Sequence, residues 1–114
     1  MTVSKQAQDL IMQIQGGSQQ LQIVGMQKQQ LAMQQRELNA ASEEVAKLGL
    51  KAEVFKAVFR LLVKTSKHDA DKELKEQKDE ITLKLKMLEK EETRLQQRLE
   101  ETQEKIKKML PKSK

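Results

Sequence analysis

Two long runs in this chain repeat apolar residues at alternating steps of three and four, and that spacing limits the fold more than anything else in the sequence. The first run is Ala7, Leu10, Ile14, Gly17, Leu21, Val24, Lys28, Leu31, Gln35, Leu38, Ser42 and Val45. The second is Leu74, Lys78, Ile81, Leu85, Leu88, Glu92, Leu95, Leu99, Thr102, Ile106 and Met109. Such spacing draws one narrow stripe along an α-helix, the heptad signature of a coiled coil. Each helix of about 40 residues would run roughly 60 Å.

Composition agrees with thin seams. Charged residues make up 34% of the 114, and two phenylalanines are the only aromatics, so a thick globular core cannot be filled. A hydrophobic share of 37% is still too high for simple disorder. The chain is therefore read as one mostly α domain: a first coiled-coil helix over 5–48, a β-hairpin over 51–65, a second helix over 66–110 and a tail over 111–114.

Folded back on itself, an antiparallel coil should pair residues whose numbers have a constant sum. A sum near 119 to 120 sets Leu10 against Met109, Ile14 against Ile106, Val24 against Leu95, Leu38 against Ile81 and Val45 against Leu74. The polar interruptions coincide as well: Lys28 meets Glu92, Ser42 meets Lys78 and Gly17 meets Thr102, while Gln35 against Leu85 is unmatched. Any two heptad runs can be matched apolar to apolar; the coincidence of the polar exceptions selects this register. A Lys–Glu pair within a seam carries a desolvation cost but penalises slipped registers. The expected fold is an antiparallel two-helix coiled coil within one chain, doubling back near residue 60.

The doubling-back point holds EVFKAVFRLLVKT, residues 53–65, with both phenylalanines and a dense set of β-branched residues. Room remains for one hairpin, and Ser66 followed by Asp69 is a capping signal for the second helix. An isolated two-stranded hairpin is marginal in water and leaves two unpaired edges. Val54, Phe55, Val58, Phe59, Leu61, Leu62 and Val63 are therefore expected to form an interface with other chains.

Helix, short hairpin and helix, with VFKAVFRLLVKTSK leading into DADKELKEQKDEI, resembles the β-class subunits of the prefoldin family over nearly the whole chain. Phe55, Lys56, Val58, Leu61, Leu62, Val63 and Lys64 fit that family's hairpin pattern; Phe59 stands where the family usually has glycine. Phenylalanine resists positive φ, so either an altered turn or a ring used for packing between subunits is expected there. The resemblance implies a hexamer of two α and four β subunits, with six coils projecting from a β-barrel body. It also implies ATP-independent capture of unfolded proteins, delivery to a group II chaperonin and a cytoplasmic setting, with α-class and other β-class subunits as partners.

In that architecture both termini lie at the free end of the coil. There the sequence carries more apolar residues than a seam needs: Val3, Leu10, Ile11, Met12 and Ile14, with Ile106, Met109 and Leu110. These are the expected client-binding residues, Ile11, Met12 and Leu110 lying off the strict seam; the alternative is that they only thicken the seam. Met12, Met26 and Met33 share one further heptad position, opposite the seam, and methionine suits surfaces that take varied partners. Gly16 and Gly17 interrupt the first helix and mark either a flexible joint or a later helix start.

Enzyme chemistry is not expected. His68 is the only histidine, so neither a converging metal site nor a nucleophile–base pair can be built around it, and no cysteine supplies a thiolate. No phosphate-binding glycine loop occurs, and no cofactor or metal is expected. A net charge of +5 is spread among glutamates rather than gathered in a stripe, which disfavours nucleic acid. No secretory signal or membrane-spanning run is read. The competing reading is a coiled-coil adaptor or scaffold without chaperone activity.

Overall fold

The computed structural model describes residues 4–109. Helix α1 (Lys5–Ala46) is followed by strands β1 (Val54–Val58) and β2 (Leu61–Thr65) and by helix α2 (Lys67–Met109). Val3, Leu110 and the tail lie outside the described residues.

Local chemistry sets the helix ends. At the start of α1 the Ser4 hydroxyl accepts the backbone N–H of Ala7 at 3.1 Å, satisfying one of the unpaired donors of the first turn. Ser66 does the same for α2, its hydroxyl accepting the N–H of Asp69 at 3.0 Å. Asp69 in the first turn of α2 and Lys107 and Lys108 in its last turn complement the helix dipole. The end of α1 has no basic residue of its own in its last turn. Lys67, at the start of α2, supplies that charge: its ammonium donates to the Leu48 carbonyl at 2.7 Å and to the Ala46 carbonyl at 3.4 Å. A cation at a helix C-terminus is favourable by about 0.3–1 kcal/mol. The chain end of one helix is thus tied to the beginning of the other.

Contacts gather the chain into two compact units. One joins α1 up to Gln29 with α2 from Lys86. Val24 and Leu95 are buried here, and Val24 is only 2% exposed. The Lys28 ammonium meets Glu92 Oε1 at 3.1 Å, the pairing that the constant sum requires. Gly17 allows close approach: a Cβ built there would sit 3.4 Å from Leu99 Cδ1. Thr102 is buried with its hydroxyl donating to the Arg98 carbonyl at 2.8 Å, so a polar seam residue is satisfied inside its own helix. Helix α1 runs through Gly16 and Gly17 without interruption, which excludes a later start.

The second unit, Gln30–Leu85, contains the hairpin and the helix segments that flank it. Ile81 is buried, and Leu38, Val45 and Leu74 are half-buried. Strands β1 and β2 pair antiparallel, from Val54 opposite Thr65 to Val58 opposite Leu61. That register leaves two loop residues, Phe59 and Arg60. Phe59 takes a φ of 55°, and no other non-glycine residue among those described has a positive φ. Positive φ in a two-residue hairpin loop is ordinarily supplied by glycine, asparagine or aspartate. The turn therefore keeps a glycine-like backbone and carries phenylalanine on it. The left-handed region costs a side chain such as this about 1–2 kcal/mol.

All twelve expected seam positions of α1 are buried or half-buried, as are those of α2 except Met109. No large side chain among the described residues is completely buried, as expected of a core only one stripe wide.

Candidate interaction surfaces

The hairpin is an apolar surface with nothing to cover it. Alternation divides its side chains into two faces. The cross-strand partners Phe55 with Lys64 and Ala57 with Leu62 share one face; Val54 with Thr65, Lys56 with Val63 and Val58 with Leu61 share the other. Phe55 is 52% exposed, Leu62 74% and Phe59 101%; Val58, Leu61 and Val63 are exposed too, while Val54 is half-buried. With two strands in the sheet, each has one edge unpaired. Lys56 reaches back to Glu73 on α2, Nζ to Oε2 at 3.4 Å, and Lys64 faces Glu53 at 3.9 Å. The first pair ties the hairpin to α2 and the second links β2 to the residue before β1; neither covers the apolar side chains.

The second surface lies along the first turns of α1 and the last turns of α2. Leu10, Ile14 and Ile106 are half-buried in the seam. Ile11, Met12 and Met109 are exposed, Met12 at 67%. The expected set thus divides into seam residues that hold the helices together and outward residues open to a partner. Val3 and Leu110, the remaining members, fall outside the described residues. Met26 and Met33 are also exposed on α1, at the positions expected opposite the seam.

Other features escaped the sequence reading. Ser4 as a cap could have been found, since a serine three residues before Ala7 opens an apolar-periodic run. The Lys67 tie spans 19 and 21 residues and has no local signal. A groove of ≈ 450 Å³ lies beside Gly16 and Gly17, where Gln13 and Gln20 face Leu95, Leu99 and Thr102. The missing side chains of the two glycines leave it open.

Charge chemistry is sparse. Arg94, hydrogen-bonded to Glu91 at 2.6 Å on the outer face of α2, holds that carboxyl below its ordinary value, and Glu91 in turn raises the Arg94 guanidinium. Among the described residues no group of three or more potential metal ligands comes together. No helix among them is long and apolar enough to cross a membrane.

Comparison with known proteins adds a third line of observation. A family model described as "Prefoldin subunit" matches residues 8–113. The chain is 39% identical to prefoldin subunit beta of Archaeoglobus fulgidus over 105 residues, covering 92% of this chain and 90% of that protein. It is 37% identical to prefoldin subunit beta of Methanosarcina acetivorans over the same shares of each chain. The crystal structure of the prefoldin beta subunit from Thermococcus strain KS-1 superposes with a TM-score of 0.87 at 34% identity, covering 97% of this chain and 98% of that one.

Proposed function

The chain belongs to the prefoldin family, and on that premise we propose that it is a subunit of a hexameric, ATP-independent chaperone. The hairpin joins it to an α-class subunit and to other β-class subunits. The ends of its helices hold unfolded proteins and release them to a group II chaperonin, in the cytoplasm and without catalysis. The observation that carries this reading is the uncovered apolar hairpin: Phe55, Leu61 and Leu62 are largely exposed on a two-stranded sheet with free edges. Single large apolar side chains at a surface are ordinary, but a contiguous set on an unpaired edge is a place for another chain.

Client capture follows from the outward residues Ile11, Met12 and Met109. Their side chains are flexible and uncharged, so they can meet varied apolar segments without demanding one geometry. Weak and numerous contacts are what a holding activity needs, because a client bound too tightly could not be passed on.

Mixing tests the assembly. The chain and an α-class prefoldin subunit are combined and their mass read by light scattering. A discrete hexamer with two α-class and four β-class chains is expected. If the two proteins elute as they did separately, the assembly reading fails.

A further inference from the structure

The chain has no cysteine, tryptophan or tyrosine, so methionine is the side chain most open to a two-electron oxidant such as a hydroperoxide. Its placement in this fold is one-sided. Met12, Met26, Met33, Met87 and Met109 are all exposed, and no described methionine is among the buried residues of the seam. The hairpin over residues 53–65 holds none. Oxidation therefore has no foothold in the parts that hold the fold together or join it to other chains. Two of these methionines stand where a change of polarity would matter. Met12 of α1 and Met109 of α2 belong to the unit made by α1 up to Gln29 and α2 from Lys86, and with Ile11 they are the outward residues of the proposed client surface. All but one member of that surface are thus thioethers.

We propose that Met12 and Met109 are modification sites: a hydroperoxide converts them to sulfoxides, and the client surface loses its grip until they are reduced. In the forward step a sulfur lone pair attacks one peroxide oxygen. An S–O bond forms and the O–O bond breaks; the hydroxide that leaves takes the proton from the sulfur-bound hydroxyl and departs as water. Sulfur gives up two electrons and the peroxide accepts them. A dithiol-dependent methionine sulfoxide reductase reverses the step: the oxygen leaves as water and the two thiols become a disulfide. The sulfoxide keeps the length of the side chain but replaces a soft apolar sulfur with a polar, chiral group. Burying that group against an apolar client segment, with no donor to meet its oxygen, is unfavourable. The seam is untouched, since buried Val24, Ile81 and Leu95 carry nothing that a peroxide attacks. Met26, Met33 and Met87 are as open to the oxidant but lie outside that surface, so their oxidation is expected to be silent. This inference rests on the client reading of Ile11, Met12 and Met109 and adds a means of switching it off.

The test treats the purified chain with hydrogen peroxide, removes the reagent and adds untreated α-class subunit, so that only this chain is oxidised. Peptide mass mapping should show one added oxygen at Met12 and one at Met109, while the urea midpoint and the mass of the assembly match those of the untreated chain. Suppressing the aggregation of a thermally unfolding client should then take about tenfold more of the oxidised chain, the order expected when burial of a methionine side chain is forfeited. Reductase with dithiothreitol should restore it. Each variant is scored against its own untreated sample. Met12→Leu with Met109→Leu should lose most of the sensitivity to peroxide, whereas Met26→Leu, Met33→Leu and Met87→Leu together should keep it. The inference is overturned if peroxide leaves Met12 and Met109 unmodified, if reduction restores nothing, if the first variant stays as sensitive as the parent, or if the second is protected instead. A loss that comes with a lower urea midpoint or a smaller assembly overturns it too, because the fold would then be the target. A parent that suppresses nothing before treatment sinks the client reading and this inference with it; suppression indifferent to peroxide sinks this inference alone.

Discussion

Helices α1 and α2 share the seam equally but turn different surfaces outward. Between Leu10 and Gln35, α1 carries a single charged residue, Lys28, and that one is drawn into the seam against Glu92. Its outer positions hold glutamine and exposed Met12, Ile23, Met26 and Met33, and the helix contains three glycines, at 16, 17 and 25. Helix α2 has no glycine, and more than half of its 43 residues are charged. Its outer face is laced with pairs one turn apart, such as Lys84 with Glu80 and Arg94 with Glu91. Pairs of this kind support a helix by a few tenths of a kcal/mol each. Each glycine in a helix interior has the opposite effect, by about 1 kcal/mol. One helix is thus built for intrinsic stability, while the other gives up stability for an uncharged, adaptable surface. On the proposed function, α1 would supply most of the client-facing surface, with Met109 at the end of α2 beside it, and the rest of α2 would act as scaffold.

The largest expected effect tests that division directly. Ile11→Ser with Met12→Ser should abolish suppression of client aggregation while the oligomer remains. The matching change on α2, Leu83→Ser with Met87→Ser at two comparably exposed positions, should leave suppression near the parent level. Turbidity of a thermally unfolding client reads both, and equal losses from the two helices would end the distinction. Next in size is the shared seam. Leu95→Ala should destabilise the fold by about 2–4 kcal/mol, seen as a lower urea midpoint in circular dichroism, because the methyl groups lost are buried. A value under 1 kcal/mol would mean that the seam is looser than its burial suggests.

Smaller still is the glycine effect. A Cβ at Gly16 would meet nothing within 4 Å, and one at Gly17 would make an ordinary contact with Leu99. Gly16→Ala and Gly17→Ala should each raise stability by about 1 kcal/mol. A simultaneous drop in client capture would identify these glycines as a working joint; unchanged capture would leave them as mere weak points. The smallest effect belongs to Glu91. Its carboxyl is lowered by Arg94, so the contribution is present above the ordinary carboxylate value and is lost as pH falls through the lowered one. Because the pair is exposed, Glu91→Gln should change only slightly the acid side of a plot of Tm against pH.

What could be read in advance was whatever repeats. The seam was legible because a helix has one period, and any residue facing a partner must obey it. Even Lys28 against Glu92 was legible, since an antiparallel register fixes every opposing pair once one is known. The location of the hairpin was also plain, from β-branched residues between two periodic runs. The conformation of Phe59 was not: its side chain argues against a positive φ, and only the pairing of Val58 with Leu61 forces it. Tertiary pairing overrode local preference there. The Lys67 tie was equally invisible, because it joins residues distant in sequence and follows no period. Of the candidate site, the off-seam positions Ile11 and Met12 could be picked out because they broke the pattern.

The near absence of charge along α1 between Leu10 and Gln35 has a further consequence for the medium in which it works. Dissolved ions weaken attraction between charges over distances of about 8–10 Å at ordinary ionic strength, but a surface without charges offers them nothing to shield. Contacts made by Met12, Ile23 and Met26 would therefore persist from dilute buffer into concentrated brine, while any pull exerted by the lysines and glutamates of α2 would fade.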